Sequence, residues 1–254
     1  MTVPQDTVPR APSSPAPPPR RAGYGALRSV GLGVTALVVG AGVLSSVPEM
    51  VQRTAEQELA FPAGTTRLEV VAPVGQVVVR EGEGLDPVIS VEKTWSFDEP
   101  RVEMTAVDGV ARVSLDCSSG ILATRCSGEW DVVVPRGLAV SVTSSAGEVE
   151  LEGVTGDVTV RNSVGDTRVS GAPRTLDLTS NVGSITARLS APADRVVVRN
   201  NVGEVDLTLP PGHTWDVTTS SDVDEAVTRV PVSSASPYRV DVRTDVGSIR
   251  IDDE

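Results

Sequence analysis

Few residues in this sequence are of the types that usually carry chemistry, so each can be weighed in turn. The single histidine, His213, stands beside Pro210, Pro211, Gly212 and Trp215. Acid–base catalysis and metal ligation both need a positioned partner, and none is evident nearby, so His213 reads as a turn residue. Asp222, Asp224 and Glu225 form the densest acidic cluster. Paired carboxylates can hydrolyse glycans or bind calcium, but acids are abundant throughout, and solvated corner residues are the plainer reading. Cys117 and Cys126 are the only cysteines. Their spacing is unlike Cys-x-x-Cys, and a zinc site would need more ligands. In an oxidising compartment they would pair, and closing so short a loop contributes roughly 2 to 3 kcal/mol. A structural disulfide is therefore expected.

No Gly-x-Ser-x-Gly elbow, phosphate-binding loop or His-Glu-x-x-His motif is present. No catalytic, cofactor-binding or metal residue is assigned, and no enzyme is expected. A sugar-stacking groove would have to draw on Trp95, Phe97, Trp130, Trp215 and Tyr238, because aromatics make up only 3% of the chain.

That scarcity leaves Val, Leu and Ile to build the core of a 254-residue chain, and β-branched residues favour strands. The net charge is −12, unevenly placed. Four of the 22 basic residues (Arg10, Arg20, Arg21, Arg28) and one of the 34 acids (Asp6) precede an apolar run, leaving a net charge of −15 beyond it. An acidic surface without clustered Lys and Arg excludes nucleic acid as the expected partner. The run itself, the uncharged stretch from Ser29 to Val47, nearly spans a hydrocarbon core of roughly 30 Å as a helix. Residues 28–47 are thus expected to be a signal anchor holding the protein in the membrane. Arginines before it and Glu49 after it place the N-terminus in the cytoplasm and the rest outside. A cleaved signal peptide, with Val43 and Ser45 as a loose cleavage site, is the competing reading.

Residues 1–27, rich in proline, are expected to be a disordered cytoplasmic tail. Residues 48–64 are expected to be a juxtamembrane spacer, partly helical, and residues 65–135 an irregular β region that starts a stack. From 136 to 254 the sequence repeats. Aligned on Gly147, Gly165, Gly183, Gly203, Asp224 and Gly247, the copies lie 18, 18, 20, 21 and 23 residues apart. Apolar residues stand seven and five places before each mark (Val158 and Val160, Leu176 and Leu178, Val196 and Val198) and two and four places after it (Ile185 and Ala187, Val205 and Leu207). Two short alternating strands per repeat follow, joined at a corner where glycine reaches positive φ without steric cost. The polar residues just before each glycine, such as Asn162, Ser180 and Asn200, are expected to form hydrogen-bonding ladders along the corner. Stacked rungs at about 4.8 Å would share one aliphatic core, with Asp252, Asp253 and Glu254 shielding the terminal edge. A two-sheet β-sandwich is the alternative.

The opening segment from Phe61 to Val79 (FPAGTTRLEVVAPVGQVVV), followed by repeated Ser/Asn-x-Val-Gly-x-Ile/Val units, resembles the bacterial DUF4097 family of proposed adhesins. The resemblance covers roughly residues 60 to 254. It implies an all-β, right-handed β-helix or β-solenoid module outside the cytoplasm, associated with the cell envelope, and it brings no catalytic residues with it. The expected function is a non-enzymatic, adhesin-like binding scaffold whose solenoid faces hold an envelope polymer or surface protein. A stress-sensing membrane component and, less favoured, a polysaccharide-cleaving enzyme are the alternatives.

Overall fold

The computed structural model describes residues 52–82, 86–117 and 126–253. The expected tail 1–27 and anchor 28–47 lie outside them. Among the described residues every regular element is a β-strand, and no helix is long and apolar enough to cross a membrane.

Five rungs follow one plan, each a longer strand, a corner and a shorter strand. They are β2 (Arg67–Val74) with β3 (Val77–Glu81), β8 (Ala139–Ala146) with β9 (Val149–Val154), β10 (Asp157–Val164) with β11 (Thr167–Gly171), β12 (Thr175–Val182) with β13 (Ile185–Leu189), and β14 (Arg195–Val202) with β15 (Val205–Leu209). A sixth, β18 (Arg239–Val246) with β19 (Ile249–Asp253), repeats it. The first strands of all rungs pair in parallel within one sheet, and the second strands within another. The fold is therefore an all-β, β-helix-like stack of two parallel-rich sheets.

Register makes the core. Leu68, Val140, Val158, Leu176, Val196 and Val240 are successive Cα partners across the first sheet, and Val70, Val142, Val160, Leu178, Val198 and Val242 form the next inward row. Every one of these side chains is buried, as are Val77, Val149, Ile185, Val205 and Ile249 of the facing sheet. Alternation along each strand turns the intervening residues outward, so one apolar seam runs the length of the stack.

The N-terminal end departs from this plan. β7 (Cys126–Val134) pairs in parallel with β3, and β6 (Val110–Asp116) with β2. Outside them β5 (Arg101–Val107), β4 (Val88–Trp95) and β1 (Arg53–Ala60) add antiparallel strands. Asp108 and Gly109, both at positive φ, form the two-residue turn of the β5–β6 hairpin. Two expectations are corrected here. Residues 53–60, within the spacer expected to be partly helical, form β1, because Leu59 and its alternating neighbours lie along the free edge of β4. The segment 67–81 is a full rung of the repeat, with Gly75 in the corner frame, and is enclosed between β6/β7 and β8/β9.

The C-terminal end brings a further correction. The degenerate copy, β16 (Asp216–Ser221) and β17 (Ala226–Thr228), does not follow β14/β15 in space; β18/β19 lies between them. Asp252 and Asp253 are consequently not at the stack end. The aliphatic frame of β18/β19 matches that of β14/β15, so inserting it buries Val240, Val242, Ile249 and Ile251 on both sides. The copy with Thr219 and Thr228 in its frame occupies the outer position, where a short polar strand resists edge-to-edge pairing.

Candidate functional site

The corner is the most conspicuous local construction. Gly75, Gly147, Gly165, Gly183, Gly203 and Gly247 all have φ between 125 and 142°. The amide of each of the first five donates to the carbonyl preceding the next glycine, as in Gly165 N to Val182 O at 2.9 Å, so the ladder continues around the bend. Each of the last five also sits directly on the one before it: a Cβ on Gly165 would stand 2.1 Å from the carbonyl oxygen of Gly147. Close backbone approach, as well as backbone angle, demands glycine at this row.

Inside the corner the row Ser144, Asn162, Ser180, Asn200 and Thr244 is buried. Asn162 Nδ2 donates to Gly147 O and Gly165 O, both at 3.0 Å, and Asn200 Nδ2 to Gly183 O at 3.0 Å. These amides supply donors to corner carbonyls, a structural task. Outside the same corner Val164, Val182, Val202 and Val246 stand half exposed in a line.

The other sequence candidates are dispersed. Cys117 and Cys126 are disulfide-bonded with Cα atoms 5.9 Å apart, joining the end of β6 to the start of β7 across the two sheets. His213 packs edge-on against Tyr238 and Trp215, with ring centroids 5.6 and 6.3 Å away. Asp222, Asp224 and Glu225 are exposed in the outermost corner, where the Asp224 amide donates to Ser221 Oγ. Among the described residues no set of three His, Cys, Asp or Glu side chains is placed to hold a metal ion. Trp95, Trp130 and Trp215 are buried, which removes the indoles from any sugar-stacking surface; Phe97 is the exposed aromatic.

What remains accessible is the pair of outer faces, where in-register strands bring like positions side by side. On the ten-stranded sheet Glu56, Glu92 and Glu129 are successive cross-strand partners over β1, β4 and β7, and with Asp131 they line a shallow depression of about 250 Å³. On the nine-stranded sheet the columns are mixed. Arg195 partners Arg239, Arg199 partners Arg243, and Asp177, Val197 and Asp241 run between them. Arg243 grips both carboxylate oxygens of Asp241, at 3.0 and 3.3 Å, and Arg199 lies 4.0 Å from Asp177. Sequence reading missed these patches because they arise from cross-strand register. The signal was present in the repeat alignment, where Arg195 and Arg239 fall at the same place.

Fold and faces together define a class: a repeat-built β module whose accessible chemistry lies on the outer faces of two sheets. No protein-family model and no curated relative matches the chain. Among solved structures it is similar to a protein of Clostridium sporogenes named for a proposed cell-adhesion role, at 12% identity and TM-score 0.42, over 80% of this chain and 100% of that one. It is similar also to a proposed adhesin of Bacteroides fragilis, at 12% identity and TM-score 0.41, over 78% and 97%. A Parabacteroides distasonis protein named for proposed lipid binding aligns at 10% identity and TM-score 0.29, over 80% and 96%.

Proposed function

We propose that this protein is a non-enzymatic, adhesin-like binding scaffold of the cell envelope, a member of the DUF4097 family. Its β-solenoid, coiled right-handedly as parallel crossovers are, carries the binding faces outside the membrane, and residues 28–47 hold it there with the N-terminus in the cytoplasm. The observation that carries the binding reading is the in-register outer faces, which set exposed side chains in columns at strand spacing and so suit an extended ligand, an envelope polymer or a surface protein. The bonded Cys117 and Cys126 favour an oxidising compartment, where such bridges persist.

The test is retention. Full-length protein in detergent, immobilised through its N-terminus, is expected to retain a purified envelope polymer or a surface protein from a cell-wall extract, and retention of neither removes the scaffold reading. Protease added to intact cells is expected to cleave residues beyond 48 and spare an N-terminal epitope; protection of the whole chain removes the topology.

A further inference from the structure

The outer face of the nine-stranded sheet contains an arrangement that strand pairing alone does not favour. Arg195 on β14 and Arg239 on β18 are direct register partners, so two exposed guanidinium side chains of like charge start about 4.8 Å apart. Like charges directly opposite destabilise a sheet. Neither arginine side chain has an ion pair or hydrogen bond among the described residues, although the neighbouring arginines Arg199 and Arg243 each have an aspartate. The nearest opposite charge in register with the pair is Asp216, beside Arg239, which leaves an excess positive charge for a ligand to neutralise.

The surroundings are shaped for it. Arg195, Val197, Asp216, Thr218, Arg239 and Asp241 line a depression of about 200 Å³. Val197 faces outward between Arg195 and Arg199 along the strand, yet is only 3% exposed. Of the two acids, Asp241 is already held by Nε and Nη2 of Arg243. Asp216, the register partner of Arg239 on the far side, is the single acid of the depression without an arginine bonded to it. Two arginines therefore face one available carboxylate, on a protein that is otherwise strongly acidic.

We propose that Arg195 and Arg239 form an oxyanion-binding site for a linear polymer bearing carboxylate or phosphodiester groups. Guanidinium forks grip both kinds of group bidentately. Arg199 and Arg243 lie about 13 Å further along the strands, each with its own aspartate, so the unpaired positive charge is centred on Arg195 and Arg239. The acidic remainder repels such a polymer elsewhere and confines it to this face. This inference rests on the scaffold reading above and names the ligand class for one of its faces.

The experiment titrates full-length protein in detergent with fluorescent polygalacturonate, poly(glycerol phosphate) and neutral dextran. The variants are Arg195→Gln/Arg239→Gln and, as a charge-matched control, Arg53→Gln/Arg188→Gln, with melting no lower than that of the wild type required of both. Binding of either anionic polymer, weakened at least tenfold in the first variant and less than twofold in the control, supports the site; which polymer binds decides the source of the oxyanion. Equal losses in both variants, no loss in the first, or no binding of either anionic polymer overturns it. If the wild type retains cell-wall material but binds neither anionic polymer, the oxyanion site falls and the scaffold reading stands; if the wild type retains none, the scaffold reading falls as well.

Discussion

The α-carbon of Gly183 rests against the carbonyl oxygen of Gly165, so that a Cβ there would lie 2.2 Å from that oxygen. Neither backbone can retreat without breaking the corner ladder from Gly165 N to Val182 O. Gly183→Val and Gly183→Ala are expected to destabilise the fold by at least about 1 to 3 kcal/mol. Gly153, at φ 68° with nothing within 4 Å of its added Cβ, separates strain from collision: Gly153→Ala is expected to cost about 1 kcal/mol. Thermal unfolding of the three variants checks the order, and a Gly183→Ala no worse than Gly153→Ala contradicts it.

Two adjacent asparagines differ in role. Asn200 is buried and donates to the Gly183 carbonyl, whereas Asn201 is exposed. Asn200→Ala leaves that carbonyl short of a donor and is expected to cost about 1 to 3 kcal/mol, while Asn201→Ala stays within about 0.5 kcal/mol. Chemical denaturation of both variants provides the comparison.

Leu178 sits at the centre of an inward row, between Val160 and Val198. Its environment is rigid on both sides because each neighbouring rung is itself clamped. Leu178→Ala is expected to cost about 2 to 5 kcal/mol, read from the denaturation midpoint at unchanged slope.

The bridge between Cys117 and Cys126 joins β6 to β7 where the chain passes from one sheet to the other. Cys117→Ser/Cys126→Ser is expected to lose roughly 2 to 3 kcal/mol. Reductant should lower the wild-type melting temperature and leave the double variant unaffected; an equal response in both would count against a stabilising bridge.

Truncation after Tyr238 removes β18/β19, the only rung among the described residues with which β16 and β17 pair. The expected outcome is loss of hydrogen-exchange protection in 216–228 together with increased exchange in β14 and β15, whose outer edge becomes free. Protection retained in 216–228 would mean that the degenerate copy can pair directly with β14/β15.

Much of this was legible from residue order alone. Val196 and Val198, like Leu176 and Leu178, announce their burial through period-two spacing, which is a property of the strand itself. Asn162 and Asn200 announce the corner through their fixed distance from glycine. Gly75 was equally legible, since Leu68, Val70, Val77 and Val79 hold the same offsets from it, but its rung is separated in sequence from the others by the β4–β7 excursion. The spacer strand β1 was hidden because its eight residues carry few apolar side chains and owe their conformation to the edge of β4.

By itself, then, the sequence determined what each short segment is: an alternating strand, a glycine corner, a polar residue at a fixed place beside it. These depend on local sterics and on the partition of apolar side chains from water. Tertiary structure alone decided which rung lies beside which, because any rung with a matching aliphatic frame can pair with any other, and the arrangement that buries most places β18/β19 inside and the weakest copy outside. That choice also set Arg195 beside Arg239, forty-four residues apart in the chain and adjacent on the surface only because β18 came to lie against β14.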